Sequence, residues 1–274
     1  MKRASILALL LAGTVTGVEA QWLNHRDPKI PRTADGKPNL SAPAPRLDGK
    51  PDLTGVWQAE RTPVEEFVRI LGPVYPQLQI DYTDVTKHFA NVFWGMRPEE
   101  EPLRPEAAAL LKQRRSSGQE FTAAYCLPSS LPATISLLAF KMVQAPGQIV
   151  LMPGSDDPPR QIYTDGRTLP ADPEPTWTGH SVGSWQGDTL VVETVGITTR
   201  APLDAAGHPR SDAMRITERF RRRDVGHIDF EISFDDAKYY TRSFGFTTTL
   251  LLLPDTDVLE YVCTENQKRH LSRP

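Results

Sequence analysis

The sequence has 274 residues, of which 39% are hydrophobic and 24% are charged, a composition typical of a globular protein rather than a disordered one. Its formal net charge is −3, and −4 once Lys2, Arg3 and Glu19 of the leader described below are removed. This acidic balance argues against a nucleic-acid partner. After the leader, no apolar run approaches the ~20 residues that a membrane-spanning helix needs.

Residues 1–20 have the pattern of a signal peptide. A basic start at Lys2 and Arg3 precedes an apolar run from Ile6 to Ala12, and a small residue, Ala20, ends the segment. Cleavage after Ala20 is expected from this pattern. We therefore expect an exported protein, periplasmic or secreted, without a membrane span.

Residues 21–51 predict an irregular arm rich in Pro, Gly, Lys and Asp, and residues 52–274 predict a single domain. The domain begins with a strand in DLTGVWQ that points Trp57 inward. Helices are predicted over 62–72 and 104–115, within a helical excursion spanning about 60–125.

From residue 138 onward, short strands alternate with turn signals every 8–12 residues or so, a spacing that favours a sandwich or a barrel. The last predicted strand is VLEYVC, residues 258–263. The predicted fold class is mainly β: an antiparallel meander of about eight strands that closes into a lipocalin-like barrel, because closure removes exposed edges.

Two strands assign side chains to faces by their alternation. In HIDFEISF, Ile228, Phe230, Ile232 and Phe234 share the apolar face. In MRITERF, Glu218 falls on the same face as the apolar residues. An inward carboxylate is costly unless it is paired, so we expect a raised pKa for Glu218 unless Arg167 or another cation pairs with it.

The stretch WTGHSVGSWQGDTLVVETVGI, residues 177–197, is the most unusual in the chain. Alternation puts His180, Val182 and Ser184 on one face, and Ser181 and Trp185 on the other. Both faces are largely apolar, so the period does not decide which is inside. His180 is either one wall of a site or a structural histidine bonded to a neighbouring loop.

Two further segments carry candidate residues, each with a structural alternative. In YTDGR, Asp165 and Arg167 either join a site with Tyr163 or shape a turn and a surface ion pair. In DAAGHPRS, His208 is either a ligand-binding or a loop histidine.

Metal and nucleophile patterns are weak. The chain contains no HxH, HExxH or CxxC pattern, and His180, His208 and Glu218 could converge on a metal only through the fold. GHSVG at 179–183 has the spacing of a nucleophile elbow, but a strand and hairpin turn follow it where that motif needs a helix. We therefore predict no metal and no cofactor.

Two cysteines in an exported chain predict a disulfide between Cys126 and Cys263, with two separate buried thiols as the alternative.

The motifs DGR, GHSVGxWxGDTLVVxT and ER resemble those of a large family of exported, mostly uncharacterised bacterial proteins. The resemblance covers roughly residues 52–266, from DLTGVW to Cys263, Glu265 and Asn266. Three features depart from the pattern: Thr168 replaces a His after DGR, Gln186 replaces an acid in the turn, and DDAKYYTRSF lacks a Pro and a Trp. The resemblance implies no established activity.

Our leading functional hypothesis is that the protein binds, or converts without a cofactor, a small hydrophobic or aromatic molecule in the barrel mouth. The candidate catalytic residues are His180, Glu218 and Asp165. The candidate ligand-binding residues are Arg167, Trp177, Ser181, Trp185, Tyr163, His208 and Arg219. The rival hypothesis is a non-catalytic structural or interaction protein whose polar motif is a buried, hydrogen-bonded plug. A weaker alternative is a hydrolase or lyase that uses Ser181 or His180. The oligomeric state is left open.

Overall fold

A computed structural model describes residues 25–71, 86–116 and 126–263 of the chain. The expected signal peptide at 1–20 lies outside the described residues, as do parts of the helical excursion and the motif residues Glu265 and Asn266. No helix in the described ranges is both long enough and apolar enough to cross a membrane.

The described chain is mainly β, with four short α-helices. The helices are α1 (Val64–Leu71), α2 (Lys87–Ala90), α3 (Pro105–Ser116) and α4 (Ala133–Ser136). Helices α1 and α3 confirm the two helices predicted from the sequence. A two-stranded hairpin of β1 (Arg46–Leu47) and β2 (Lys50–Pro51) precedes the main sheet.

Nine strands form one closed barrel. They are β3 (Gly55–Ala59), β4 (Phe140–Ala145), β5 (Gln148–Pro153), β6 (Arg160–Tyr163), β7 (His180–Gln186), β8 (Thr189–Val195), β9 (Arg215–Arg222), β10 (His227–Asp235) and β11 (Phe244–Leu252). Each strand pairs with its sequence neighbour, and β11 pairs with β3 to close the ring. The predicted barrel is confirmed.

Two details of the predicted barrel are wrong. Strands β6 and β7 run parallel, because an odd number of strands cannot close with every neighbouring pair antiparallel. Residues 258–262 are not a strand, since β3 already occupies the edge of β11 through the pairs Trp57↔Leu252 and Ala59↔Leu250.

The interior of the barrel is a packed core, although we expected space for a small molecule at the barrel mouth. Every strand contributes buried inward side chains, as alternation predicts; they include Trp57, Phe140, Met142, Leu151, Ile162, Leu190, Val192, Phe220, Phe230 and Ile232. The enclosed space beside the inward Arg160 amounts to about 10 Å³, roughly the room of one water molecule.

Both ends of the barrel are covered. At one end the N-terminal arm docks on the β9–β10 turn, where Gly226 N–H donates to the Leu40 carbonyl and Val225 N–H donates to the Ala42 carbonyl. At the other end the segment between α2 and α3 packs on the loops, with the Phe93 ring against His208. The core is therefore closed along the barrel axis as well as around it.

The predicted disulfide is confirmed: Cys126 and Cys263 are bonded across 137 residues of sequence, with their Cα atoms 5.5 Å apart.

Candidate functional site

Strand β7 splits the GHSVG motif between the two sides of the barrel wall. Ser181 pairs with Thr194 and faces the interior, whereas His180 pairs with Val195 and faces outward. The alternation predicted for this strand is confirmed, and the structure adds which face is inside.

The inner face holds a buried polar cluster built around an ion pair. Arg160, at the start of β6, donates from Nη1 to Glu218 Oε1 at 2.9 Å, and from Nη2 to Glu218 Oε2 as well. Its Nε donates to Ser181 Oγ at 3.1 Å, and Nη2 also donates to Thr194 Oγ1 at 2.8 Å. The exposed fractions of the two charged side chains are 4% and 0%. Every charged atom of the pair therefore has a partner inside the core.

This cluster corrects the expected site. Glu218 and His180 lie on opposite sides of the wall, so they line no common hollow. The cation that pairs with Glu218 is Arg160 and not Arg167. The Ser181 hydroxyl is buried and hydrogen-bonded to Arg160 and Thr194. It therefore has no general base to activate it as a nucleophile, and no substrate can reach it.

A cleft lies on the outer face of the same strands. A parallel pair needs a crossover, and residues 164–179 cross from the end of β6 to the start of β7 outside the wall. The space between crossover and wall is about 360 Å³. Its side chains are mainly aromatic, aliphatic and hydroxyl-bearing: Tyr163, Leu169, Pro170, Thr168, Thr176, Thr178, His180 and Val182.

His180 lines this cleft with a defined tautomer. Its Nε2 lies 2.9 Å from the carbonyl oxygen of Glu174 in the crossover. Because a carbonyl only accepts, Nε2 carries the proton, and a neutral ring presents Nδ1 as an acceptor. No hydrogen bond to Nδ1 is found in the described part of the chain.

Thr176 adds a second polar atom without a partner. Its Oγ1 is shielded from solvent and makes no hydrogen bond within the described ranges, although its backbone is bonded to Gly196 and Thr198. A buried hydroxyl left unpaired costs free energy. Because the oxygen is shielded, a group in the cleft cannot reach it without a rotation of the Thr176 side chain.

Tyr163 and Arg167 line the cleft, and Asp165 pairs with Arg167 without lining it. The Arg167 guanidinium lies 3.6 Å from the Tyr163 ring centroid and donates to both oxygens of Asp165. Hydrogen bonds from Arg167 lower the pKa of Asp165. Asp165 is therefore an ionised partner of Arg167, which removes a free positive charge from the cleft.

The glycines of the motif explain how the site is held. Gly179 has a φ of +67°, and a Cβ there would lie 2.7 Å from Ile197 Cγ1 and 2.8 Å from the Val195 carbonyl oxygen. Gly196, with a φ of +68°, makes room for Pro173 and the His180 ring. The absence of a side chain at these two glycines lets the crossover pack closely beside β8 and holds the His180 ring in place.

His208 lies outside the cleft, in a buried network at the barrel end. Its Nδ1 is 2.6 Å from Asp204 Oδ2, and its Nε2 is 3.1 Å from Glu101 Oε2. Burial alone would lower the pKa of His208, but the two carboxylates outweigh it and raise the pKa to about 9. The protonated ring ties the excursion that contains Glu101 to the loop before β9.

The other candidate residues are dispersed. Trp177 is half-buried, its carbonyl accepts from Ser130 Oγ, and the Arg200 guanidinium lies 4.9 Å from its ring centroid. Trp185 faces inward and packs on the core. Arg219 lies on the outer face beside Gln186. None of these three lines the cleft.

Sequence reasoning missed Arg160 and Thr176. The alternation of RQIY puts Arg160 on the same face as Ile162, so an inward cation opposite Glu218 was detectable. Nothing in the sequence marks Thr176, because its position depends on the path of the crossover.

Comparisons with models of known families, with curated proteins and with solved structures found no match to this chain. The resemblance to the exported bacterial family stays a prediction based on its motifs.

Proposed function

We propose that the protein is a binding protein that takes one small hydrophobic or aromatic molecule in the cleft under the β6–β7 crossover. The observation that carries the proposal is the cleft of about 360 Å³ itself, whose lining combines apolar side chains with the His180 imidazole. Small-molecule sites combine a concave, largely apolar surface with a few polar groups, at volumes of about 300–1,000 Å³.

The chemistry of the lining defines the ligand. Tyr163, Leu169, Pro170 and Val182 offer apolar surface, and the charge of Arg167 is matched by Asp165. A neutral ligand with a donor for His180 Nδ1 fits this surface best. No nucleic acid and no cofactor is part of the proposal.

Binding is favoured over catalysis by the composition of the cleft. No carboxylate lines it in the described part of the chain, and Glu218 is sealed on the other side of the wall. His180 therefore has no acidic partner with which to share proton transfer. The inner cluster fits the buried plug of our rival hypothesis and stabilises the wall that bears the cleft.

We place this activity outside the cytoplasm, in the periplasm or the medium. Two features support the placement: the leader pattern of residues 1–20 and the Cys126–Cys263 disulfide, a bond that persists in oxidising compartments.

Native mass spectrometry of the chain purified from an exporting host tests for a co-purified small molecule. A panel of phenols, aromatic alcohols and aromatic amides, screened by ligand-observed NMR, then supplies a measurable ligand. Val182→Trp, which fills the cleft floor, is expected to abolish binding. His180→Ala is expected to weaken it about 2–10-fold, the effect of losing one hydrogen bond of ~0.5–1.5 kcal/mol.

Ser184→Ala is the matched control, because Ser184 is exposed on the same outer face of β7 but does not line the cleft. A panel hit whose affinity is unchanged in Val182→Trp would disprove the cleft as its site.

A further inference from the structure

A second cavity, of about 60 Å³, lies beside the disulfide and shares no residue with the cleft. Its lining includes Cys126, Asp156 and Cys263. The two sulfur atoms and one carboxylate oxygen all lie within 4.8 Å of one another. In the described ranges, these three residues are the one group of His, Cys, Asp or Glu side chains close enough to surround a metal ion.

The carboxylate is held at the sulfur pair by the backbone. Asp156 Oδ2 accepts the Cys263 N–H at 3.0 Å, and no hydrogen bond to Oδ1 is found in the described residues. Asp156 is exposed, Cys126 is half-buried and Cys263 is buried. An ion can therefore approach from the Asp156 side.

Reduction converts the disulfide into metal ligands. A dithiol reductant supplies two electrons and two protons, becomes a disulfide itself, and leaves two thiols on this chain. A divalent cation then displaces both thiol protons and binds two thiolates and the Asp156 carboxylate, with water at a fourth position. Zn–S bonds of about 2.3 Å in a tetrahedral site place the sulfurs about 3.8 Å apart. Side-chain rotation can reach this separation from Cα atoms that are 5.5 Å apart.

We propose that the reduced Cys126–Cys263 pair, with Asp156, binds one thiophilic divalent cation of the Zn²⁺ type. Thiolate ligands select such ions over Mg²⁺ and Ca²⁺, which prefer oxygen. The metal replaces the disulfide as the cross-link between residues 126 and 263, so that the fold keeps this connection in both redox states.

The test uses the full mature chain, reduced with a phosphine that is then removed under argon. Titration with Co²⁺ is expected to give thiolate-to-cobalt charge-transfer absorption and the visible bands of tetrahedral cobalt, saturating at one equivalent. Zn²⁺ is expected to displace Co²⁺ and to raise the melting temperature of the reduced chain only. Asp156→Asn is expected to weaken Co²⁺ binding at least tenfold, whereas Asp212→Asn, an exposed carboxylate elsewhere, leaves it unchanged.

Absence of the charge-transfer band in reduced wild type overturns the proposal, whether the reduced chain is folded or is unfolded and not refolded by Zn²⁺. Equal Co²⁺ binding by the oxidised chain, by Cys126→Ser or by Asp156→Asn overturns it too. Circular dichroism of each reduced variant shows whether a loss of binding reflects the missing ligand. Ligand binding in the crossover cleft is measured in the oxidised chain, so failure there leaves this test unaffected.

Discussion

The inner and outer faces of the β6–β7–β8 wall both carry polar residues, including the neighbours His180 and Ser181, but surround them differently. Inside, Arg160, Ser181, Thr194 and Glu218 satisfy one another in a dry core. Outside, the Thr176 hydroxyl lacks a partner beside a cleft that His180 lines. A buried charge is costly unless it is paired, so we assign the inner set to stability and the concave outer surface to the proposed binding.

The largest expected effect tests the inner face. Arg160→Met leaves Glu218 buried without a cation and is expected to lower the free energy of unfolding by about 3–5 kcal/mol. Arg160→Met with Glu218→Leu removes both charges and is expected to recover most of that loss. Urea unfolding of the single and double variants measures both values. Additive losses would show that the two side chains do not act as a pair.

His208, at the barrel end, is a second buried charge that is paired with carboxylates. Its pKa is raised from 6.5 to about 9, so the native chain keeps a proton that the unfolded chain releases between these values. The resulting stabilisation, on the order of 3 kcal/mol, is complete below pH 6.5 and is lost as the pH rises through about 9.

His208→Gln is expected to remove this part of the pH dependence, and urea unfolding at pH 6, 7.5 and 9 measures it. His88 is an internal reference, because its effect on the free energy of unfolding has the opposite pH dependence. Burial lowers the pKa of His88 to about 4, so this residue destabilises the fold as the pH falls below 6.5. A wild-type slope between pH 6.5 and 9 that survives in His208→Gln would refute the assignment.

Substitutions at Gly179 and Gly187 compare the cost of backbone strain alone with the cost of strain plus a steric clash. Gly179→Ala meets both a positive φ and contacts under 3 Å, whereas Gly187→Ala meets a positive φ with nothing within 4 Å. We expect about 1 kcal/mol of destabilisation at Gly187 and about 1–2 kcal/mol more at Gly179. Thermal unfolding compares the two variants, and equal losses would mean that the crossover adjusts freely.

The smallest expected effect on stability is at His180, on the outer face of the wall. His180→Ala is expected to change the free energy of unfolding by no more than about 0.5 kcal/mol, since its one bond is to an outer loop carbonyl. The same variant is expected to weaken the proposed ligand binding. A loss of 2 kcal/mol or more would assign His180 to structure, as the rival hypothesis requires.

Much of the fold could be predicted because alternation and turns are local. The inward faces of β9 and β10, the alternation of β7, both longer helices and the disulfide all follow from the sequence. The parallel β6–β7 pair could not be predicted, because it follows from the odd number of strands in the ring. That number depends on which segment pairs with the free edge of β11, residues 258–262 or β3.

The site was predicted only in part. Alternation separated His180 from Ser181, but with two apolar faces it could not say which residue was inside. The cleft arises from the crossover of the parallel pair. Its lining residues could not be predicted, because the parallel pairing of β6 and β7 could not be predicted either. Glu218 was correctly placed inward, and its partner was left open as Arg167 or another cation; the structure shows that the partner is Arg160.

Closure of the ring by β3 and β11 also sets the order in which the molecule can be completed. Trp57 meets Leu252 across almost the whole length of the described chain. A polypeptide that emerges from its N-terminus keeps two open sheet edges until residue 252 is free, and contacts so distant in sequence form slowly. Closure into a ring therefore waits for the last strand, and until then both edges of the sheet can pair with another chain.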